Sequence, residues 1–388
     1  MPSTIFISAG EASGEHYGAL LVAALKKRLS ADGHTASFFG MGGERMATAG
    51  LECVVRAEEM AVMGLTEVVL HLPRIWREYR KLKKSIRDRR PSVAVLIDFP
   101  EIHFRLAREL HRLGVPVVYF VSPQLWAWKK KRIRLVQKYI DKMLVIFPFE
   151  EAFYRERDVE AEFVGHPLTD QAAQSVSREQ FAAENGLDPA NTWVGLLPGS
   201  RPREIRDHLP TMLRAAQELT HSLEFVIPLA PTLKAAQRED VLRLVQKHGE
   251  DLQLSLVNDA RATLFHARAS VVASGTATVE AALIGNPFVV VYRVSALTYA
   301  IAKRVVTVPH VAMANLIAGK QLVPELIQSD FTAEKIVQEI ERLLPDGVPR
   351  QSMMEELARI RGLLAKQSEG GAIDRVAEIT LERMRSVG

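Results

Sequence analysis

The 388 residues contain a single cysteine, Cys53. One thiol excludes a disulfide scaffold and a cysteine-based zinc site, and it fits a reducing compartment. No apolar run approaches the ~18 residues needed to span a bilayer. The opening MPSTIFIS lacks a basic segment followed by an apolar one, so the expectation is a cytoplasmic chain and not a secreted one. A lysine phosphate loop of the form G-x-x-x-x-G-K-[ST] is missing, which argues against ATP hydrolysis of that type. So are a D-x-D pair and any His/Cys cluster at metal-ligand spacing, and neither a metal nor another cofactor is expected.

Charge of one sign is scarce overall but locally concentrated. The formal net charge is +4. Yet RIWREYRKLKKSIRDRR (74–90) holds nine Arg or Lys, and KKKRIRLVQK (129–138) holds six. Each run reads either as a solvated helix face or as an attractor for an anionic membrane or nucleic acid. No nucleic-acid motif accompanies them, so nucleic acid is not an expected partner.

A hydrophobic content of 47% with 25% charged residues is ordinary for a globular chain. Its length suggests two domains of roughly 150–200 residues. Short β-branched runs alternate with helical patterns, and strands are expected at 4–9, 36–40, 51–55, 93–97, 117–121, 143–147 and 161–164. A second series follows at 193–197, 223–228, 252–257, 270–273 and 287–292. Such alternation predicts an α/β chain of two Rossmann-like units with parallel sheets facing a cleft, broken near FVGHPLTD (163–170). The expected domains are 1–165, 166–350 and a pair of C-terminal helices, 351–388, crossing back to the first domain.

Three glycine turns are candidates for ligand binding. The first, SAGEASGE (8–15), runs from a strand into a helix but carries Glu11 and Glu15, and carboxylates repel phosphate. The second, LPGSRPREI (197–205), offers Gly199 for close approach, the Ser200 hydroxyl, and the planar fork of Arg201. A capped helix with a solvent-facing arginine is the plainer reading. In the third, SGTATVEAALIGNP (274–287), Ser274, Gly275 and Thr276 open a helix whose free N–H groups and dipole favour an anion. Glu280, one turn inside, suits a ribose diol or simply complements the dipole.

These stretches, with SPQLWAWKKKRI (122–133), FVGHP (163–167) and NLIAGKQLVPELIQ (315–328), resemble the lipid-A-disaccharide synthases. The resemblance runs in order from residue 8 to about 328. It implies an inverting glycosyltransferase of the two-Rossmann GT-B type. The implied reaction joins UDP-2,3-diacylglucosamine to 2,3-diacylglucosamine 1-phosphate, giving UDP and the β-1,6 disaccharide 1-phosphate precursor of lipid A. Two positions depart from the family pattern. Glu15 stands where Asp is usual, and Pro100 is followed by Glu101-Ile102-His103 where Asp-Phe-Asn is common.

On this resemblance the first turn faces sugars, with Glu11, Ser13 and Gly14 as the acceptor loop. Asp98, immediately after a buried strand, is the candidate general base, and Glu15 is the second catalytic candidate. Their plainer readings are a helix cap and a dipole partner. Asp98 is expected to be ionised at neutral pH without special tuning, since a free aspartate titrates near ~3.9. Gly199, Ser200, Arg201, Ser274, Gly275 and Thr276 would hold the diphosphate, Glu280 the ribose, and Asn315 either the donor or its own loop. Acylated substrates stay in the bilayer, so a peripheral place on the anionic inner-membrane surface is expected. Met63, Leu65, Val68, Val69, Leu72 and Trp76, beside the 74–90 cations, form the candidate acyl patch, although such a stripe is commonly core. A homodimer stays open. The rival readings are a non-hydrolysing UDP-sugar 2-epimerase, a nucleic-acid-binding protein, and a lipid or nucleotide sensor without turnover.

Overall fold

The computed structural model describes residues 3–60, 65–171, 176–219, 222–231, 233–306, 308–365 and 370–385. The chain divides into two compact units, Met1–Asp170 with Leu364–Gly388, and Gln171–Leu363.

The first unit begins β1 (Ser3–Ala9), α1 (Ala12–Ala31), β2 (Ala36–Gly42), α2 (Glu44–Ala49) and β3 (Glu52–Arg56). A short α3 (Ala57–Met60) and the long α4 (Leu65–Arg89) lead to β4 (Val93–Ile97), α5 (Pro100–Arg112) and β5 (Val117–Phe120). Then come α6 (Ile133–Tyr139), β6 (Lys142–Val145), α7 (Pro148–Arg155) and β7 (Ala161–Phe163). All seven strands pair in parallel in the order β3-β2-β1-β4-β5-β6-β7. Strands covered on both faces need apolar residues on both, which is why VAVLI in β4 is buried throughout.

The second unit runs α8 (Arg178–Asn185), β8 (Thr192–Leu197), α9 (Pro202–Glu218), β9 (Leu223–Pro228), α10 (Ala235–His248) and β10 (Leu254–Val257). It continues through α11 (Ala260–His266), β11 (Ala269–Ala273), α12 (Thr276–Ile284), β12 (Phe288–Tyr292), α13 (Ala296–Val305) and α14 (Met313–Ala318). The last elements are β13 (Glu325–Ile327), α15 (Ala333–Leu343), α16 (Val348–Leu364) and α17 (Gly371–Arg385). Its six strands are also parallel, in the order β10-β9-β8-β11-β12-β13. Two Rossmann-like units with parallel sheets are therefore present, as the alternation of apolar runs and helical patterns predicts. Twelve strands fall where they are expected, and β13 is the addition.

The two C-terminal helices part company. α16 lies in the second unit up to Leu363, whereas α17 groups with the first and packs on α1. The Asp170 carboxylate accepts from the Ala372 N–H at 2.6 Å at the start of α17. Arg375 pairs with Glu162 at 2.8 Å. Crossing back is thus the work of one helix, pinned at its N-terminus by a residue from the end of the first unit.

Most of the 74–90 cations have an internal purpose. Glu109 is buried and takes Lys83 at 3.0 Å and Arg87 at 2.5 Å, while buried Glu78 takes Arg77 and Lys81, each at 2.9 Å. Arg74 pairs with Glu59 and Arg89 with Glu52. Among the described residues Arg80, Lys84 and Arg90 remain exposed with no ion pair. Tyr79, Leu82 and Ile86 turn the other face of α4 into the core. Of the acyl-patch candidates, Met63 lies outside the described residues, as do the side chains of Leu65, Val68, Val69 and Leu72 on α4. Trp76 is 54% exposed and stacks on Tyr79 at 5.5 Å between ring centroids. No helix of the described residues is long and apolar enough to cross a membrane.

Candidate active site

In an open parallel sheet, ligands bind beyond the carboxyl ends of the strands where the strand order reverses. In the first unit that point lies between β1 and β4, whose last paired residues are Ala9 and Ile97. Gly10-Glu11 and Asp98-Phe99 follow immediately. In the second unit it lies between β8 and β11, followed by Pro198–Arg201 and Ser274–Thr276. Each unit thus presents its candidate residues at its own switch point.

The β4 end is conformationally strained. Asp98 and Phe99 both adopt left-handed backbone, with φ of 51° and 49°. Non-glycine residues in this region cost on the order of 1–3 kcal/mol each and persist where the surroundings over-determine them. Here several contacts do so. The Asp98 N–H donates to the Phe120 carbonyl at 3.0 Å. Its own carbonyl accepts from the Tyr119 hydroxyl and from His103 Nδ1, both at 2.6 Å. The Phe99 ring fills the space above Gly10, where a Cβ would stand 2.4 Å from ring carbons. Gly10→Ala is therefore expected to displace Phe99 and, with it, Asp98. Thermal melts should show the variant destabilised by about 1–3 kcal/mol, the usual cost of forcing a methyl into a filled site.

Burial pushes the Asp98 carboxyl up to about 7, reinforced by the negative charge of Glu11 and, less, of Glu101, and opposed by the Phe99 N–H. The expectation of an untuned, fully ionised aspartate is thus corrected: desolvation decides. A carboxyl of this pKa is better matched to base catalysis near neutrality than a free one. Burial holds His103 at about 4, against the hydrogen bond to Asp98, so its ring is neutral at pH 7.

Glu15 has a definite partner. Its Oε1 accepts from the Arg45 N–H at 2.9 Å, so it caps the first turn of α2 from across the unit. A Cβ on Gly43 would lie 2.3 Å from that oxygen, which is why the chain is Gly there. The contact engages one carboxylate oxygen, and Glu15 also stands in the first turn of α1. Glu11 is exposed at the N-cap of α1, Ser13 is half-buried, and Gly14 is buried in the first turn.

Beyond the β5 end, Glu101 takes Lys129 at 3.1 Å and Arg132 at 3.0 Å. Trp128 is exposed under the Lys129 ammonium, whereas Trp126 is buried and donates to Glu150 at 3.0 Å.

In the second unit Gly199 has a φ of 114°, and a Cβ there would stand 2.5 Å from Glu204 Oε2. Its absence lets Glu204 curl back to accept the Arg201 N–H and pair with its guanidinium at 3.3 Å. Ser200 and Arg201 are exposed. Buried His208 fastens this loop, bridging the Pro198 carbonyl at 2.8 Å and the Arg293 N–H at 3.0 Å. Gly275 and Thr276 are exposed at the start of α12, with Gly275 at a φ of 149° and open space where a Cβ would project. Glu280 stands one turn inside, its pKa raised by burial and offset by Arg261 at 3.9 Å. Asn315 is 0% exposed. Its amide donates to the Val323 carbonyl and Glu325, and its oxygen accepts from the Leu322 and Val323 N–H groups. With every polar atom engaged, Asn315 organises its own loop instead of facing a donor. Among the described residues no group of three or more His, Cys, Asp or Glu is placed to hold a metal ion.

Residues 5–370 match the family model described as lipid-A-disaccharide synthetase. The chain belongs to the lipid-A-disaccharide synthetase family. The lipid-A-disaccharide synthase of Acidobacterium capsulatum is 60% identical over 390 residues, spanning 98% of this chain and 96% of that protein. That of Koribacter versatilis is 50% identical over 378 residues, spanning 97% of each. Among solved structures, UDP-GlcNAc 2-epimerase from Neisseria meningitidis aligns with a TM-score of 0.65 at 12% identity, over 98% of this chain and 100% of that one. The calicheamicin glycosyltransferase CalG4 aligns at 0.61 and 18% identity, over 100% and 99%. At such identities the structural likeness shows the fold alone, which is GT-B. Family membership makes the chain a hexosyltransferase enzyme of lipid A disaccharide synthesis, and the epimerase likeness adds no second activity.

Proposed function

We propose that the enzyme transfers 2,3-diacylglucosamine from its UDP ester to the primary hydroxyl of 2,3-diacylglucosamine 1-phosphate, with inversion at the anomeric carbon. The observation that carries this reading is a carboxyl with a pKa of about 7 at the switch point of the first unit. The Asp98 carboxylate takes the hydroxyl proton as that oxygen bonds to the anomeric carbon and the bond to UDP breaks. Glu11, Ser13 and Gly14 line the acceptor loop. Gly199, Ser200, Arg201, Ser274, Gly275 and Thr276 receive the diphosphate, and Glu280 the ribose. Negative charge develops on the departing UDP, so preorganised donors there matter most.

The substrates share four acyl chains and cannot leave the bilayer freely, since each buried methylene is worth ~0.8 kcal/mol. The enzyme therefore works at the cytoplasmic face of an anionic membrane, with exposed Trp76, Arg80 and Lys84 on the approaching surface. The test is UDP release from purified protein mixed with both acylated sugars in anionic vesicles. Release that requires both sugars is the expected result. Silence, or release without the acceptor, rejects the assignment.

A further inference from the structure

The left-handed turn at Asp98 is held by a device that the transfer reaction itself does not name. The Asp98 carbonyl receives two donors, the Tyr119 hydroxyl and His103 Nδ1, each at 2.6 Å. A carbonyl cannot donate, so Nδ1 must carry the proton. The other ring nitrogen, Nε2, lies 2.8 Å from Ser8 Oγ. In a neutral ring that nitrogen is an acceptor, so the partners assign the tautomer: Ser8 donates to Nε2, and Nδ1–H donates to Asp98. Ser8, His103 and Tyr119 are each buried to 0% exposure. The three come from β1, α5 and β5, the elements that flank the β4 end.

We propose that His103 and Tyr119 are positioning residues for the general base. They lock the carbonyl of Asp98 and, together with the N–H bond to the Phe120 carbonyl, its left-handed backbone, so that the carboxyl stays aimed beyond the strand ends. This rests on Asp98 acting as the base. Carboxylates facing Asp98 come from Glu11 on the first turn and Glu101 on α5, and the aromatic ring of Phe99 packs edge-on against His103 at 5.8 Å. None of these fixes the carbonyl. His103 does not exchange protons with substrate, because both of its nitrogens are committed inside the protein.

Two amide substitutions separate the two ends of the imidazole. An asparagine amide superposes on Nδ1 and keeps a donor toward Asp98, whereas a glutamine amide reaches the Nε2 position and keeps the Ser8 contact. His103→Asn is expected to hold kcat within about threefold of wild type. His103→Gln, closer in volume, is expected to lose roughly tenfold in kcat with KM for both sugars little changed. Tyr119→Phe should lose a similar factor. Because both donors serve one carbonyl, the loss in the His103→Gln/Tyr119→Phe double variant should differ from the product of the single losses.

A core-filling role predicts the opposite order, with Gln better than Asn and thermal stability falling in step with activity. That order would overturn the proposal, and so would equal kcat in both variants. Failure of the parent reading looks different: there Asp98→Asn retains activity, or the wild type releases no UDP.

Discussion

Asp98→Asn should lower kcat/KM by ~10²–10⁴ while making the folded protein more stable. Asparagine is among the side chains that best tolerate a left-handed backbone, so the φ of 51° survives and the lost group is the base alone. In the wild type, kcat/KM should fall about tenfold per pH unit below about 7, as the carboxyl gains its proton.

The stability gain follows from the same desolvation. An unfolded aspartate titrates near ~3.9 and the folded one at about 7. Between those values the folded protein binds more protons than the unfolded one, so stability declines as pH rises. At 1.36 kcal/mol per unit of pKa the gap is worth on the order of 4 kcal/mol above pH 7. The Tm advantage of Asp98→Asn should therefore grow from about pH 4 to pH 7 and then level off. Thermal melts across that range, with UDP release at pH 8, check both halves. An active variant removes Asp98 from the mechanism, and a pH-independent Tm difference removes the desolvation account.

On the proposed function, Arg201→Gln is expected to cost roughly 3–4 kcal/mol of transition-state stabilisation, about 10²–10³ in rate, because a donor proposed for the leaving diphosphate is lost. The side chain is exposed and its pair with Glu204 spans one helical turn at the surface, where ion pairs contribute little stability. Arg201→Lys should recover part of the rate, since a lysine supplies charge without the bidentate fork. Steady-state UDP release at varied donor concentration measures this. Wild-type rates in Arg201→Gln would move the leaving group elsewhere.

Much of the fold was legible because parallel strands covered on both faces must be apolar throughout. VAVLI in β4 and FVVVY in β12 announce themselves. β13 escaped because three residues behind Pro324 carry no periodicity. The glycine turns were legible from local chemistry, and so was the position of Asp98 after a buried strand. Its protonation was not, since burial and the approach of Glu11 depend on how β1 and β4 pair. His103 stood in view only as a departure from a familiar pattern; its partners lie 95 residues away at Ser8 and 5 away at Asp98. The partner of Glu15 is 30 residues distant, and that of Asn315 is a loop it holds together. The 74–90 cations looked like one basic surface, yet Glu78 and Glu109 draw four of them to buried carboxylates.

By itself, then, the sequence determined two parallel α/β units, their turn chemistry and the family, because periodicity and turn preference are properties of neighbouring residues. Only the tertiary structure decided which acid is desolvated, which caps a foreign helix, and which histidine holds the Asp98 carbonyl. Those outcomes depend on distances between residues far apart in the chain and on exclusion of water, and packing alone sets both.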